Sequence, residues 1–190
     1  KGERIGFRGA SGAGKTTLFN LLLGLYEPTS GEITVDGAAL TAANRRAWQN
    51  RIGYVSQHLF LSDGSFASNV APGIPSDEID RRRVAEALDA AQLGDFVASL
   101  PRGIDTPVGE CGCRLSGGQR QRIGIARALY RRADVLFFDE ATSALDSRTE
   151  GEINRSIASI AAQKPGLTLL VIAHRETSLE YCDRIITLGE

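Results

Sequence analysis

Residues Gly9-Ala10-Ser11-Gly12-Ala13-Gly14-Lys15-Thr16 fit the spacing G-x-x-x-x-G-K-[ST]. Glycines at these positions let backbone N–H groups turn inward and approach phosphate oxygens with no Cβ in the way. Lys15 can reach the β- and γ-phosphates, and the Thr16 hydroxyl can ligate Mg²⁺. A second group of chemical residues ends an apolar run, Val135-Leu136-Phe137-Phe138-Asp139-Glu140. Asp139 there can offset the charge of a metal beside a triphosphate. Glu140, one residue on, can aim at a water opposite the γ-phosphate as a general base. A third group, Ser116-Gly117-Gly118, reads as the start of a helix. A Ser hydroxyl, two unobstructed N–H groups and a helix dipole make a second anion site. Two anion sites for one triphosphate suggest that the second serves another subunit's nucleotide.

These residues need elements to hold them. Residues 5–9 read as a short buried strand entering the glycine turn, and 15–25 as a helix with Leu18, Leu21, Leu22 and Leu25 on one face. Residues 32–35 are strand-like, with Asp36-Gly37 as a turn signal. A short helix is expected at 44–50 and a strand at 52–56. The stretch 59–132 is helix-rich, with apolar periodicity at 79–93 and a long helix from 118 to 131. Strands return at 135–138, 167–173 and 185–188, with a helix at 147–162. The strand runs are continuously apolar, which suits strands buried on both faces of a parallel sheet. The order β-α-β, helical block, β-α-β-α-β predicts an α/β fold with a helical insert. In such sheets ligands bind at the carboxyl ends of the strands, where Asp139 and Glu140 fall.

Composition agrees. The chain has 190 residues, 42% hydrophobic and 24% charged, enough apolar content to exclude disorder. Its 22 Lys+Arg against 23 Asp+Glu give a net charge of −1, without the basic footprint of a nucleic-acid binder. The longest apolar run, 167–173, falls far short of the roughly 20 residues a membrane-spanning helix needs. There is no Met, residue 1 is Lys, and no signal-peptide pattern is present. Cys111, Cys113 and Cys182 form no disulfide framework or zinc spacing, and read as free thiols in a reducing compartment. Arg45, Arg46 and Arg81 to Arg83 read as solvated helix faces.

The segment Leu115-Ser116-Gly117-Gly118-Gln119-Arg120-Gln121-Arg122-Ile123 resembles the signature of the ATP-binding-cassette ATPases. Other motifs of that family stand in order. Gln57 after the strand at 52–56 resembles the Q-loop glutamine, Ser143-Ala144-Leu145-Asp146 the D-loop, and His174 after the strand at 167–173 the switch histidine. The resemblance covers essentially the whole chain. It implies an α/β P-loop NTPase core at 1–57 and 133–190 with a mainly parallel sheet, a helical signature subdomain at 58–132, and an incomplete N-terminal antiparallel β-subdomain. It also implies a transport-coupled ATPase that binds ATP and Mg²⁺, with two cassettes packed head to tail. One subunit would supply Gly9, Ser11, Gly12, Ala13, Gly14, Lys15, Thr16, Thr17, Gln57, Asp139, Glu140 and His174. The partner would supply Ser116, Gly117, Gly118, Gln119 and the neighbourhood of Asp146. Metal contacts would come from Thr16, Gln57 and Asp139, and catalysis from Glu140, His174 and Gln57. His58 is assigned no chemistry.

Within the family, Thr106-Pro107-Val108-Gly109-Glu110 resembles the X-loop of exporter-type cassettes, and Ser65-Phe66-Ala67-Ser68-Asn69-Val70 an exporter segment after the Q-loop. Cys111 stands where exporters usually carry Arg. The resemblance thus implies an exporter motor on the cytoplasmic face of a membrane, partnered by a transmembrane domain and a second cassette, with a homodimer favoured and no nucleic acid. A soluble cassette ATPase of DNA repair or translation fits less well, because no sustained heptads separate phosphate loop and signature. A non-hydrolysing regulatory cassette is disfavoured by the intact Glu140 and His174. No adenine-stacking ring precedes Gly9, since Phe7 belongs to the buried strand, so this segment alone is expected to bind ATP weakly and hydrolyse little.

Overall fold

The computed structural model describes residues 1–57, 59–143 and 145–189. His58 and the Ala144 of the D-loop segment lie outside the described residues. In chain order the elements are β1 Arg4–Arg8, α1 Lys15–Leu22, β2 Thr34–Val35, β3 Ala38–Ala39, α2 Arg45–Gln49, β4 Ile52–Val55, α3 Phe66–Val70 and α4 Arg81–Ala90. There follow α5 Gly94–Ala98, α6 Gly117–Tyr130, β5 Val135–Asp139, α7 Ser147–Gln163, β6 Thr168–Ile172 and β7 Arg184–Thr187. Five strands form a sheet of order β4-β5-β6-β1-β7, every neighbouring pair parallel. This is the α/β, mainly parallel architecture expected of a P-loop core. β2 and β3 form a separate antiparallel hairpin of two residue pairs. Its turn, Asp36-Gly37, has positive φ at both residues (50° and 81°), the conformation that the Asp-Gly dipeptide favours.

Side-chain alternation along the strands builds two cores. On one face Phe7, Ile52, Phe137 and Ile172 meet Phe19 and Leu23 at α1. Phe19 is fully buried and makes edge-to-face contacts with Phe7 and Phe137 at centroid distances of 5.6 and 5.1 Å. On the other face Val55, Leu136, Phe138, Leu169 and Val171 meet Ile123, Ile125 and Ala126 of α6 and Ile153, Ile157 and Ile160 of α7. Gly53 is required for that approach, since a Cβ there would lie 2.6 Å from Leu136 and 2.7 Å from Ala128. α1 therefore lies on one face of the sheet and α6 and α7 on the other.

Two expectations need correction. No α-helix joins β6 to β7; the link carries one 3₁₀ turn, Glu176–Leu179, anchored by buried Leu179. Residues 173–183 must also hold the His174 loop, which leaves room for a single turn. α1 stops at Leu22 rather than 25, because the chain turns at Gly24 with φ 69°. The apolar periodicity read over 79–93 extends past the helix that carries it, Arg81–Ala90, which is started by the Asp80 side chain accepting from the Arg83 N–H. Of the arginines read as solvated, Arg45 pairs with Glu27 and Arg81 with Asp105, while Arg83 lies 4.6 Å from the Tyr130 ring centre.

Candidate functional site

The glycine loop follows β1 at the carboxyl end of the sheet. Gly12 and Gly14 have φ 83° and 86°, and a Cβ at either would meet nothing within 4 Å, so both faces are open. Gly9 differs: a Cβ there would lie 2.5 Å from the Leu188 carbonyl, so glycine is needed for close backbone packing. Ser11 and Gly12 are exposed, and Ala13 donates its N–H to the Ala10 carbonyl at 3.2 Å. α1 begins at Lys15 without a side-chain cap, and the N–H groups of its first turn, Lys15 to Thr17, have no intrahelical acceptor. Those donors and the helix dipole face the loop, an arrangement suited to phosphate. Lys15 is buried and its Nζ donates to the carbonyls of Gly9 and Ala10 at 2.8 and 3.0 Å. The ammonium thus sits on the loop it would share with a phosphate.

β5 delivers Asp139 beside this loop. Burial pushes the Asp139 carboxyl above its ordinary value. The Tyr54 hydroxyl, donating at 3.1 Å, pulls it back, the Glu140 charge raises it, and the Thr16 hydroxyl and Lys15 charge lower it. Tyr54 is itself pushed up to about 12 by burial and by the Asp139 charge. Thr16 and Asp139 both offer hard oxygen donors, and the Thr16 hydroxyl is near enough to act on the Asp139 carboxyl. A buried carboxylate and one hydroxyl, with phosphates completing the shell, is the donor set that suits Mg²⁺. Among the described residues no three His, Cys, Asp or Glu side chains cluster to hold a metal unaided.

Glu140 takes φ 49°, a left-handed conformation rare for a residue with a Cβ. Its N–H donates to the Ile172 carbonyl at 3.1 Å, which pins this turn between β5 and β6. The turn presents its carboxylate to His174, whose Nε2 lies 2.8 Å from Glu140 Oε1. The expected catalytic acid and histidine are therefore adjacent at the strand ends. Gln57 follows β4; its side-chain amide donates to Ser143 Oγ at 3.1 Å, and its carbonyl accepts from Gln121 at 3.0 Å.

Ser116, Gly117, Gly118 and Gln119 open α6. Ser116 Oγ accepts from the Gln119 N–H at 3.2 Å, and Gln119 Oε1 accepts from the Ser116 N–H at 2.9 Å, a reciprocal capping box. Gln119 thereby orders the helix start. This end packs on the D-loop and the first turn of α7: a Cβ at Gly117 would lie 2.9 Å from Leu145 and one at Gly118 2.5 Å from Thr149. Asp146 caps α7, accepting from the N–H groups of Arg148 and Thr149 and from the Thr149 hydroxyl at 2.7 Å. Those bonds, Thr149 first, hold its carboxyl below the ordinary range. The α1 and α6 starts both open at the carboxyl end of the sheet, but on opposite faces.

Sequence reasoning missed two contributors. Tyr54 sits in a strand read only as apolar. Glu150 is buried on α7 and accepts from Thr142, Ser178 and Arg175. Its signal was a charge placed three residues before Ile153, on the buried stripe continued by Ile157 and Ile160.

Comparison with known proteins agrees with this geometry. The family model described as ABC transporter matches residues 1–143. An ATP-dependent lipid A-core flippase of Ralstonia nicotianae is 49% identical over 188 residues, covering 98% of this chain and 31% of the relative. The flippase of the same name from Cupriavidus pinatubonensis is 47% identical over 188 residues, with 98% and 31% covered. The structure of a bacterial Atm1-family ABC exporter with ATP bound superposes with TM-score 0.86 at 38% identity, covering 99% of this chain and 32% of that one. The chain thus spans about a third of the length of these relatives. With the ordered motifs gathered at one end of a parallel sheet, and three quarters of the chain matched by the family model, the chain belongs to the ABC transporter family.

Proposed function

We propose that this chain is the ATP-hydrolysing motor of a membrane exporter, working on the cytoplasmic face. The observation that carries the reading is the pairing of Glu140 with His174 beside the buried Asp139 and the open glycine loop. ATP would lie with its phosphates on the N–H groups of Gly12 to Thr17, and Lys15 would exchange the loop carbonyls for phosphate oxygens. Thr16 and Asp139, with Gln57 released from Ser143, would hold Mg²⁺, which supplies charge neutralisation for the β- and γ-phosphate oxygens. Glu140 takes a proton from the attacking water, the water oxygen bonds to the γ-phosphorus, and the β–γ bridging bond breaks to release ADP. His174 steadies the γ-phosphate and holds the Glu140 carboxylate in place.

We assign the catalytic core to 1–57 and 133–190 and the helical subdomain to 58–132. A second cassette of the same kind would bring its Ser116, Gly117 and Gly118 to the γ-phosphate, with the neighbourhood of its Asp146. A transmembrane domain would convert closure into transport. The flippase names of the relatives and the ATP-bound exporter neighbour support this reading. The cargo is chosen by membrane segments rather than by these residues. Replacing Glu140 by Gln in the full-length transporter tests the core of the proposal. ATPase turnover in membrane vesicles is expected to fall by about 10² to 10⁴ with ATP binding kept. Unchanged turnover would refute the general-base assignment.

A further inference from the structure

The buried acid Glu150 has no place in the reaction just described. Only 6% of its side chain is exposed. A carboxylate in such a position is costly unless donors surround it. Its donors come from the two segments that bear the reacting pair, not from the body of α7. Oε1 accepts from Thr142 Oγ1 at 3.2 Å and from Ser178 Oγ at 2.6 Å, while Oε2 pairs with the Arg175 guanidinium. Thr142 stands two residues after Glu140, and Arg175 directly follows His174. Asn154, one turn along α7, donates to Ser178 Oγ at 3.2 Å and fixes that hydroxyl. Between Glu150 and the Glu140–His174 pair lies a cavity of about 130 Å³, also lined by Thr142 and Arg175. An apolar side chain at 150 would anchor α7 through the stripe it already has. It would cut the Thr142 tie to α7 and leave the His174 segment held to that helix only by the Arg175–Ser147 and Asn154–Ser178 hydrogen bonds.

We propose that Glu150 is a positioning residue for hydrolysis. Through Thr142 and Arg175 it clamps both catalytic segments to one helix, so that Glu140 and His174 keep their spacing as water attacks. The proposal rests on the reaction assigned above. The test uses the full-length transporter in membrane vesicles and separates kcat from KM. Glu150→Gln keeps the size but removes the charge that holds Arg175. Its kcat is expected to fall about tenfold while KM for ATP stays within about twofold. Glu150→Asp, which restores the charge, should recover part of kcat. Arg175→Lys, at a half-exposed position, should lower kcat about threefold with KM unchanged, and decides the matter if Glu150→Gln does not fold. Wild-type kcat in Glu150→Gln or, failing that, in Arg175→Lys overturns the clamp. So does a rise in KM matching the loss in kcat. If Glu140→Gln abolishes turnover while Glu150→Gln keeps it, the clamp alone falls. Full turnover in Glu140→Gln removes the general-base reading and the clamp with it.

Discussion

At the scale of single residues, the site depends on carboxylates held in unlike surroundings. Asp139 is buried beside Thr16 and Tyr54, whereas Glu140, one residue on, turns into a left-handed conformation and faces His174. Asp139 is the last residue of β5 and Glu140 already belongs to the turn that follows, so two adjacent acids can do different work. They could be singled out in the sequence because the apolar run ending in two carboxylates accompanies a phosphate-loop motif. The Tyr54 contact was not, because its effect depends on β4 lying beside β5, which no local pattern states. Raised by burial, the Asp139 carboxyl has more to gain from a divalent cation than an exposed acid would. Asp139→Asn in the full-length transporter is therefore expected to raise the Mg²⁺ needed for half-maximal turnover by about tenfold or more. Binding of a fluorescent ATP analogue in EDTA should change little. An equal loss in EDTA would show that Asp139 serves the nucleotide rather than the metal.

At the scale of elements, the strands and α6 were readable from apolar runs and from the Ser-Gly-Gly start. The link between β6 and β7 was not. Its apolar residues, Leu179 and the half-buried Tyr181 and Cys182, mimic a helical pattern, but only one turn forms. β7 is the sheet edge beyond β1, and a polar clasp reinforces that edge. The Arg4 guanidinium and backbone N–H both donate to the Asp183 carboxylate, the latter at 2.9 Å. The side-chain bonds from Arg4, then its backbone bond, hold Asp183 below the ordinary carboxylate range. A carboxyl depressed on folding adds stability above its unfolded value, about 3.9, and loses it as pH falls through the folded value. Urea unfolding should thus find Asp183→Asn less stable than the parent at neutral pH, with the gap closing below about pH 4. A gap that persisted in acid would mean that the clasp acts through shape and not charge.

At the scale of the whole molecule, the sheet separates the two candidate anion sites. α1 opens after β1 and is buried on one face; α6 packs beside β4 on the other. β4 and β1 are three strand steps apart, roughly 14 Å at the usual strand spacing. A nucleotide on the glycine loop would therefore lie across the sheet from that chain's own Ser116-Gly117-Gly118 end, the placement that the proposed pairing of two cassettes requires. The sequence hinted at this by carrying two anion motifs for one triphosphate; the placement on opposite faces needed the fold. Two differently defective chains should then rescue one another. Lys15→Ala spoils the loop and keeps the α6 start. Gly117→Val leaves the loop and forces a side chain against Leu145, where even a Cβ lies 2.9 Å away. Co-expressed under two affinity tags and purified in tandem, the mixed full-length transporter has one site whose two halves are both sound. It should show ATPase turnover well above either parental variant, up to about half the wild-type rate if the sites fire independently. Turnover no higher than the parents' would mean either that each chain completes its own site, against the geometry, or that the two sites fire only together. Mixing wild type with Gly117→Val separates these outcomes. Independent sites keep about half the activity in that hybrid, and strictly coupled sites lose nearly all of it.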